Sequence, residues 1–297
     1  MADNKSTIED THFQVYIDPK HKNQEKHTYK EYLTLMSNSG VHMLYDSFSL
    51  DDIYFLSMKT PNSLVISKRQ LREVHKLIGC GLTFKDKDTL IICGGIHKET
   101  EIETNACYEY SISTNEFTRL PDMITPRYSF VIFYQDNTIY VFGGNLEGHL
   151  TDKLKKCEYF DYALKKWIAM ADLKRYKSGE SVINYRNEFW LAGHYIDNNE
   201  GYLIERYIKS KNIWEIVNIK FSSRFLRCHF LLSSSDNEVL IRFNGSSICK
   251  LNLLDHTLMV IPEFYTENIH AYITLPLDER KMLLMYSYDA KRTGCAL

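Results

Sequence analysis

Seven cysteines and eleven histidines are the residues of this chain best suited to metal or nucleophilic chemistry. The cysteines stand at 80, 93, 107, 157, 228, 249 and 295, and no two make the C-x-x-C spacing of zinc and dithiol redox sites. Most lie in apolar runs such as Ile91-Ile92-Cys93, where a thiol serves as a small buried hydrophobe. That usage implies reduced thiols and an intracellular, cytoplasmic setting. His12, His21 and His27 cluster, but at intervals of nine and six within a polar stretch they do not resemble a metal site. The H-E-x-x-H, P-loop, G-x-S-x-G and dinucleotide signatures are all absent. No catalytic residue, metal or cofactor is expected.

Charge excludes two further classes. Lys and Arg number 36 against 38 Asp and Glu, so a net charge of −2 exerts no general pull on nucleic acid or an anionic membrane surface. No apolar run reaches the roughly 18 residues of a membrane span. Met1 to Asp10 is too polar for a signal peptide, and Cys295-Ala296-Leu297 is one residue short of a prenylation box. The 44% hydrophobic content can fill a core, and 21 Tyr suit a half-buried pleated surface.

The elements that position these residues show in a repeat. An apolar strand ending in small residues appears as Leu90-Ile91-Ile92-Cys93-Gly94-Gly95 and Ile139-Tyr140-Val141-Phe142-Gly143-Gly144. It returns worn as Phe189-Trp190-Leu191-Ala192-Gly193 and Leu240-Ile241-Arg242-Phe243-Asn244-Gly245. Gly95, Gly144, Gly193 and Gly245 lie 49, 49 and 52 residues apart. A second phrase keeps step, an aromatic followed seven residues later by a bulky apolar residue: Tyr110 and Phe117, Phe160 and Trp167, Tyr207 and Trp214, then Leu251 and Leu258. Asp86-Lys87-Asp88, Gln135-Asp136-Asn137, Tyr185-Arg186-Asn187 and Ser235-Asp236-Asn237 read as tight hairpins before the Gly-ending strands.

In these two phrases and their period the sequence resembles the kelch family, most clearly over residues 85–220. The resemblance implies an all-β, kelch-type β-propeller of four-stranded blades. The Gly pairs are expected to bend the chain after the second strand, and Trp167 and Trp214 to pack one blade on the next. Six blades are expected, with five as the alternative, and N-terminal strands pair with C-terminal strands to close the ring. In the six-blade reading Val15–Pro19 and Tyr32–Met36 complete the last blade. A degenerate blade then runs through Val41–Tyr45, Asp52–Met58, Ser63–Ile66 and Leu71–Leu77. In the five-blade alternative Tyr45–Leu56 closes the ring and residues 1–40 form an arm. Residues 13–290 form one propeller domain, between an N-terminal tail (1–12) and a C-terminal tail (291–297).

The resemblance also implies where a partner would touch. Residues before each first strand and after each Gly pair ring the channel mouth on one face. Here they are Ser39 and His42; Arg127, Tyr128 and Ser129; Arg175, Tyr176 and Lys177; Arg224, Arg227 and His229; Asn268 and His270; with His97, Asn145 and His194 after the Gly pairs. The set is rich in Arg, Tyr and His and holds no carboxylate, so the expected partner is another protein offering an acidic or phosphorylated segment. An Arg before a strand has a second reading, as a donor to the carbonyls of its own blade. Lys153, Lys155, Lys156, Lys165, Lys166 and Lys174 read as exposed edge residues that discourage sheet-to-sheet association. Enzymatic kelch proteins, copper oxidases among them, carry Tyr, Cys and His ligands that do not map onto this chain.

The resulting expectation is a non-enzymatic interaction module. Two alternatives are a ubiquitin-ligase substrate receptor working through a separate adaptor, and a component of a larger, for example cytoskeletal, assembly. Residues 1–40 are too short and polar for a BTB domain and lack the Leu-Pro start of an F-box.

Overall fold

The aromatic spacing of seven is a cross-strand contact. In a computed structural model Tyr110 faces Phe117, Phe160 faces Trp167, Tyr207 faces Trp214 and Leu251 faces Leu258, each as a directly opposed antiparallel pair. The structure describes residues 11–14, 33–38, 41–46, 49–60, 63–69, 71–74, 76–146, 154–175, 178–194, 204–219, 228–235, 237–243, 247–260, 269–276, 282–288 and 292–296.

Among the described residues, six antiparallel sheets of three to five strands follow one another along the chain, and a two-stranded ribbon pairs Leu77–Ile78 with Ile96–His97. Blade II comprises Gly81–Phe84, Thr89–Cys93, Cys107–Ser111 and Glu116–Leu120. Blade III comprises Val131–Gln135, Thr138–Phe142, Cys157–Asp161 and Lys166–Ala169. Blade IV comprises Ser178–Tyr185, Glu188–His194, Ile204–Ile208 and Ile213–Val217. Blade V comprises Cys228–Ser235, Glu238–Phe243, Ser247–Asn252 and Leu258–Val260. The turn residues Asp136, Asn137, Arg186 and Asn187 all have positive φ, the two-residue hairpin conformation that Asn and Asp tolerate best.

Blades I and VI depart from the expected strand assignment. Blade I is built from Leu33–Asn38, Val41–Asp46, Ser49–Thr60 and Ser63–Arg69, with Thr11–Gln14 as a fifth strand on Ser63–Arg69. Its first strand lies beside the first strands of both blade II and blade VI. The segment 33–66 thus sits one strand later than its assumed register, and Leu71–Leu77 is not a fourth strand. It makes two tight turns, Val74 N–H to Leu71 O and Leu77 N–H to Val74 O, and buries Leu71, Val74 and Leu77 on blade II. Side chains three apart would alternate faces in a strand, whereas successive tight turns bring Leu71, Val74 and Leu77 to one side.

Blade VI is Ile269–Pro276, Met282–Tyr288 and Arg292–Ala296. Its third strand therefore comes from the stretch expected as the C-terminal tail. The N-terminal strands hydrogen-bond within blade I rather than into blade VI. The expected Val15–Pro19 strand lies outside the described residues.

Among the described residues, blades II to V bury their facing sides against one another, as stacked units that cannot bury both faces alone require. Ile91, Cys93 and Cys107 of blade II pack with Ile139, Val141, Phe160 and Trp167 of blade III. Phe142 and Cys157 of blade III pack with Phe189, Tyr207 and Trp214 of blade IV. Cys80, Cys93, Cys107, Cys157 and Cys249 are unpaired thiols, and all but the half-buried Cys80 are buried.

Burial pushes the Cys157 thiol up to about 12, Cys249 to about 11 and the Tyr207 phenol to about 12. In the unfolded chain these groups lose their protons near pH 8.5 and 10. Their raised folded values stabilise the fold fully below those pH values, and that contribution is lost as pH rises through the folded values. The urea midpoint should therefore fall between pH 8 and pH 10.5, and Cys157→Ala should flatten the slope. An unchanged midpoint across that range would remove the linkage.

Candidate functional site

The loop after the second strand and the connector after the fourth emerge at the same end of each sheet, because those two strands run parallel. Between blades II and III these two segments are tied together. Met123 N–H donates to Asn105 O at 2.9 Å, and Asn105 Nδ2 donates back to Met123 O at 2.9 Å. Gly95 N–H donates to Arg127 O at 2.8 Å. Gly94, at φ +61°, accepts this approach because it has no side chain: a Cβ there would lie 2.5 Å from Arg127 O. Gly143 and Gly144 repeat the bend at φ 62° and 104°. The strand ending at His194 carries Gly193, and Gly245 lies outside the described residues.

Arg127 does not face a partner. It is 0% exposed, and its guanidinium forms an ion pair with Glu158 at 2.6 Å. One terminal nitrogen donates to Gly143 O and Lys156 O, both at 2.7 Å. The Glu158 carboxylate also accepts from Ile124 N–H at 2.7 Å and Thr125 N–H at 3.2 Å. Burial pulls the Arg127 guanidinium below its ordinary value, and Glu158 opposes that shift. Of the two readings of an Arg before a strand, the local one describes Arg127: it serves the carbonyls of blade III.

Glu205 repeats the arrangement in blade IV. It is fully buried and accepts from Lys174 N–H at 2.9 Å and Arg175 N–H at 3.0 Å. This fixes the repeat register: Arg175 stands where Thr125 does, two positions before the place of Arg127. Arg175 is half-buried.

Tyr128 and Asn145 are half-buried and exchange both backbone hydrogen bonds, at 3.1 and 2.9 Å. His229 and His270 are second residues of the first strands of blades V and VI, and His194 ends the second strand of blade IV. All three therefore lie at the same end of their sheets as Arg127. Tyr176, Arg224 and Arg227 lie outside the described residues.

Sequence reasoning missed three features. The first is the pair of buried carboxylates, signalled only by Glu two positions before the blade's aromatic, at 158 and 205. The second is acidity at the blade II rim, where Glu99, Glu101 and Asp122 are exposed; Glu99 pairs with Lys76 at 2.8 Å and Asp122 with Arg119. The third is the exposure of Ile102 and Ile124, at 62% and 57%, on the same two segments.

The tryptophans fasten blade to blade. Trp167 Nε1 donates to Pro121 O at 2.8 Å, and Trp214 Nε1 donates to Ala171 O at 3.1 Å, each reaching the connector that leaves the preceding blade. Among the described residues no group of three or more His, Cys, Asp or Glu could hold a metal ion, and no helix is long and apolar enough to cross a membrane.

Comparisons agree with this architecture. No family model matches the chain. It is 26% identical over 128 residues to "Kelch repeat protein C2" of vaccinia virus (strain Western Reserve), 42% of this chain and 24% of that protein. The camelpox virus (strain CMS) protein of the same description is 27% identical over the same length and shares. The match thus spans about a quarter of the length of these curated relatives. Among solved structures, one described as "Structure of YjhT" superposes with a TM-score of 0.65 at 14% identity, over 88% of this chain and 91% of that one. The blades and the structural likeness define an all-β propeller fold, and the sequence likeness is to kelch repeat proteins.

Proposed function

We propose that this chain is a non-enzymatic protein-interaction module whose contact face is the end of the propeller carrying the Gly-pair loops and the blade connectors. One observation supports this best: a buried Arg127–Glu158 network holds the backbone at that end, while the side chains of Ile102 and Ile124 stand exposed on it. Fixed backbone under exposed side chains lowers the ordering cost of association. The likeness to kelch repeat proteins supports this reading.

The partner we propose offers an acidic or phosphorylated stretch to the arc from blade IV to blade VI, with Arg175, Tyr176, Arg224, Arg227, His229 and His270 as its contacts. Arg127 has no part in it, and the carboxylates at blade II disfavour an anion there. The test is affinity capture from native extract with wild type and an Arg175→Glu/Arg224→Glu/Arg227→Glu variant, folding being checked by circular dichroism. A discrete set of proteins captured by wild type and depleted at least tenfold by the variant is the expected result. Undiminished capture would move the contact face elsewhere. A cullin-type scaffold among the captured proteins would place the chain in a ubiquitin ligase, and a stoichiometric cytoskeletal set in a structural assembly.

A further inference from the structure

Cys93 ends the second strand of blade II and Cys107 begins the third, and the two are directly opposed. The neighbouring pair, Gly94 and Ala106, is joined by Gly94 N–H to Ala106 O at 2.8 Å. Hydrogen-bonded and non-hydrogen-bonded pairs alternate along an antiparallel ladder, so Cys93 and Cys107 occupy a non-hydrogen-bonded site. At such a site the Cα atoms stand about 4.5 Å apart and side chains approach most closely. That separation lies within the range a disulfide requires. In blade III the same site holds Phe142 opposite Cys157, so the paired thiols are particular to blade II. A third thiol is near: Cys80 Sγ donates to Gly94 O at 3.2 Å and lies where a Cβ on Gly95 would meet it at 2.5 Å.

We propose that Cys93 and Cys107 form a modification site, closing to a cross-strand disulfide by exchange with a small-molecule disulfide such as oxidised glutathione. One thiolate attacks a glutathione sulfur and expels one glutathione thiolate, which takes up the released proton. The facing thiol, on losing its proton, attacks the mixed disulfide and expels the second. Two protein thiols are oxidised and one glutathione disulfide is reduced to two thiols. Both thiols are 0% exposed and burial pushes the Cys93 thiol up, so the exchange is slow, proceeds through local opening of the strand pair, and accelerates as pH rises. The product turns residues 94–106, which include the Gly-pair bend and the exposed Ile102, into a closed ring. Oxidation state would then set the mobility of one rim loop, whether or not that rim binds a partner.

The test treats the folded full-length chain with oxidised glutathione at mildly alkaline pH, blocks free thiols with N-ethylmaleimide, and maps linkages by non-reducing proteolysis and mass spectrometry. The expected product links the Cys93 and Cys107 peptides and forms equally in Cys80→Ser. Its thermal midpoint should exceed that of the reduced protein by about 5 °C, a gain lost on adding dithiothreitol. The proposal is overturned if Cys93 and Cys107 are both recovered alkylated after unfolding. It is equally overturned if the linkage, or a stable glutathione adduct, is found at Cys80 instead.

Discussion

Glu158→Ala is expected to destabilise the propeller by about 3–5 kcal/mol, the cost of leaving a buried charge without its counterion. Glu158 is 2% exposed and its partner Arg127 is 0% exposed, so water cannot replace the lost carboxylate. The substitution also frees Ile124 N–H and Thr125 N–H, which donate to Glu158. Urea denaturation should show the loss as a lowered midpoint with little change in slope. Arg127→Met/Glu158→Leu should recover much of it, because an apolar pair of similar volume needs no desolvated charge. A single variant as stable as wild type would mean that the ion pair does not hold the connector.

Trp214→Ala is the second large expectation, at about 3–5 kcal/mol for a buried aromatic truncated to a methyl group. Its ring is 1% exposed and meets Phe142 at 5.3 Å edge-on and Tyr207 at 5.2 Å. The cavity therefore opens between blades III and IV rather than within one of them. Loss of the Nε1 bond also leaves Ala171 O short of a donor. Trp214→Phe should retain most of the packing and lose only that bond, at about 1 kcal/mol. Thermal unfolding separates the two, and equal effects would mean that the indole bond dominates.

The sequence was readable where one residue type does one job. Gly94 and Gly95 mark a bend that a Cβ would block, so the paired glycines announce it wherever they survive. Tyr207 and Trp214 announce a cross-strand pair because only directly opposed positions keep a constant interval of seven. Blade I was misread because it lacks both marks, and its strands can be counted from either end. Arg127 was misread for a different reason: a buried guanidinium and an exposed one have the same letter, and what decides between them is Glu158, 31 residues away. A carboxylate inside the apolar strand Cys157–Asp161 was the signal, since an ionised group in such a place requires a partner.

The direction of the fastenings has a consequence for synthesis on the ribosome. Glu158 and Trp167 of blade III both reach back to residues 121–127, and Glu205 and Trp214 of blade IV reach back to residues 171–175. In each case the connector segment leaves the exit tunnel before the residue that grips it. Blades III and IV each meet a finished seat rather than waiting for one, so nascent chains can lay down blades II to IV in order, III and IV each templated by its predecessor.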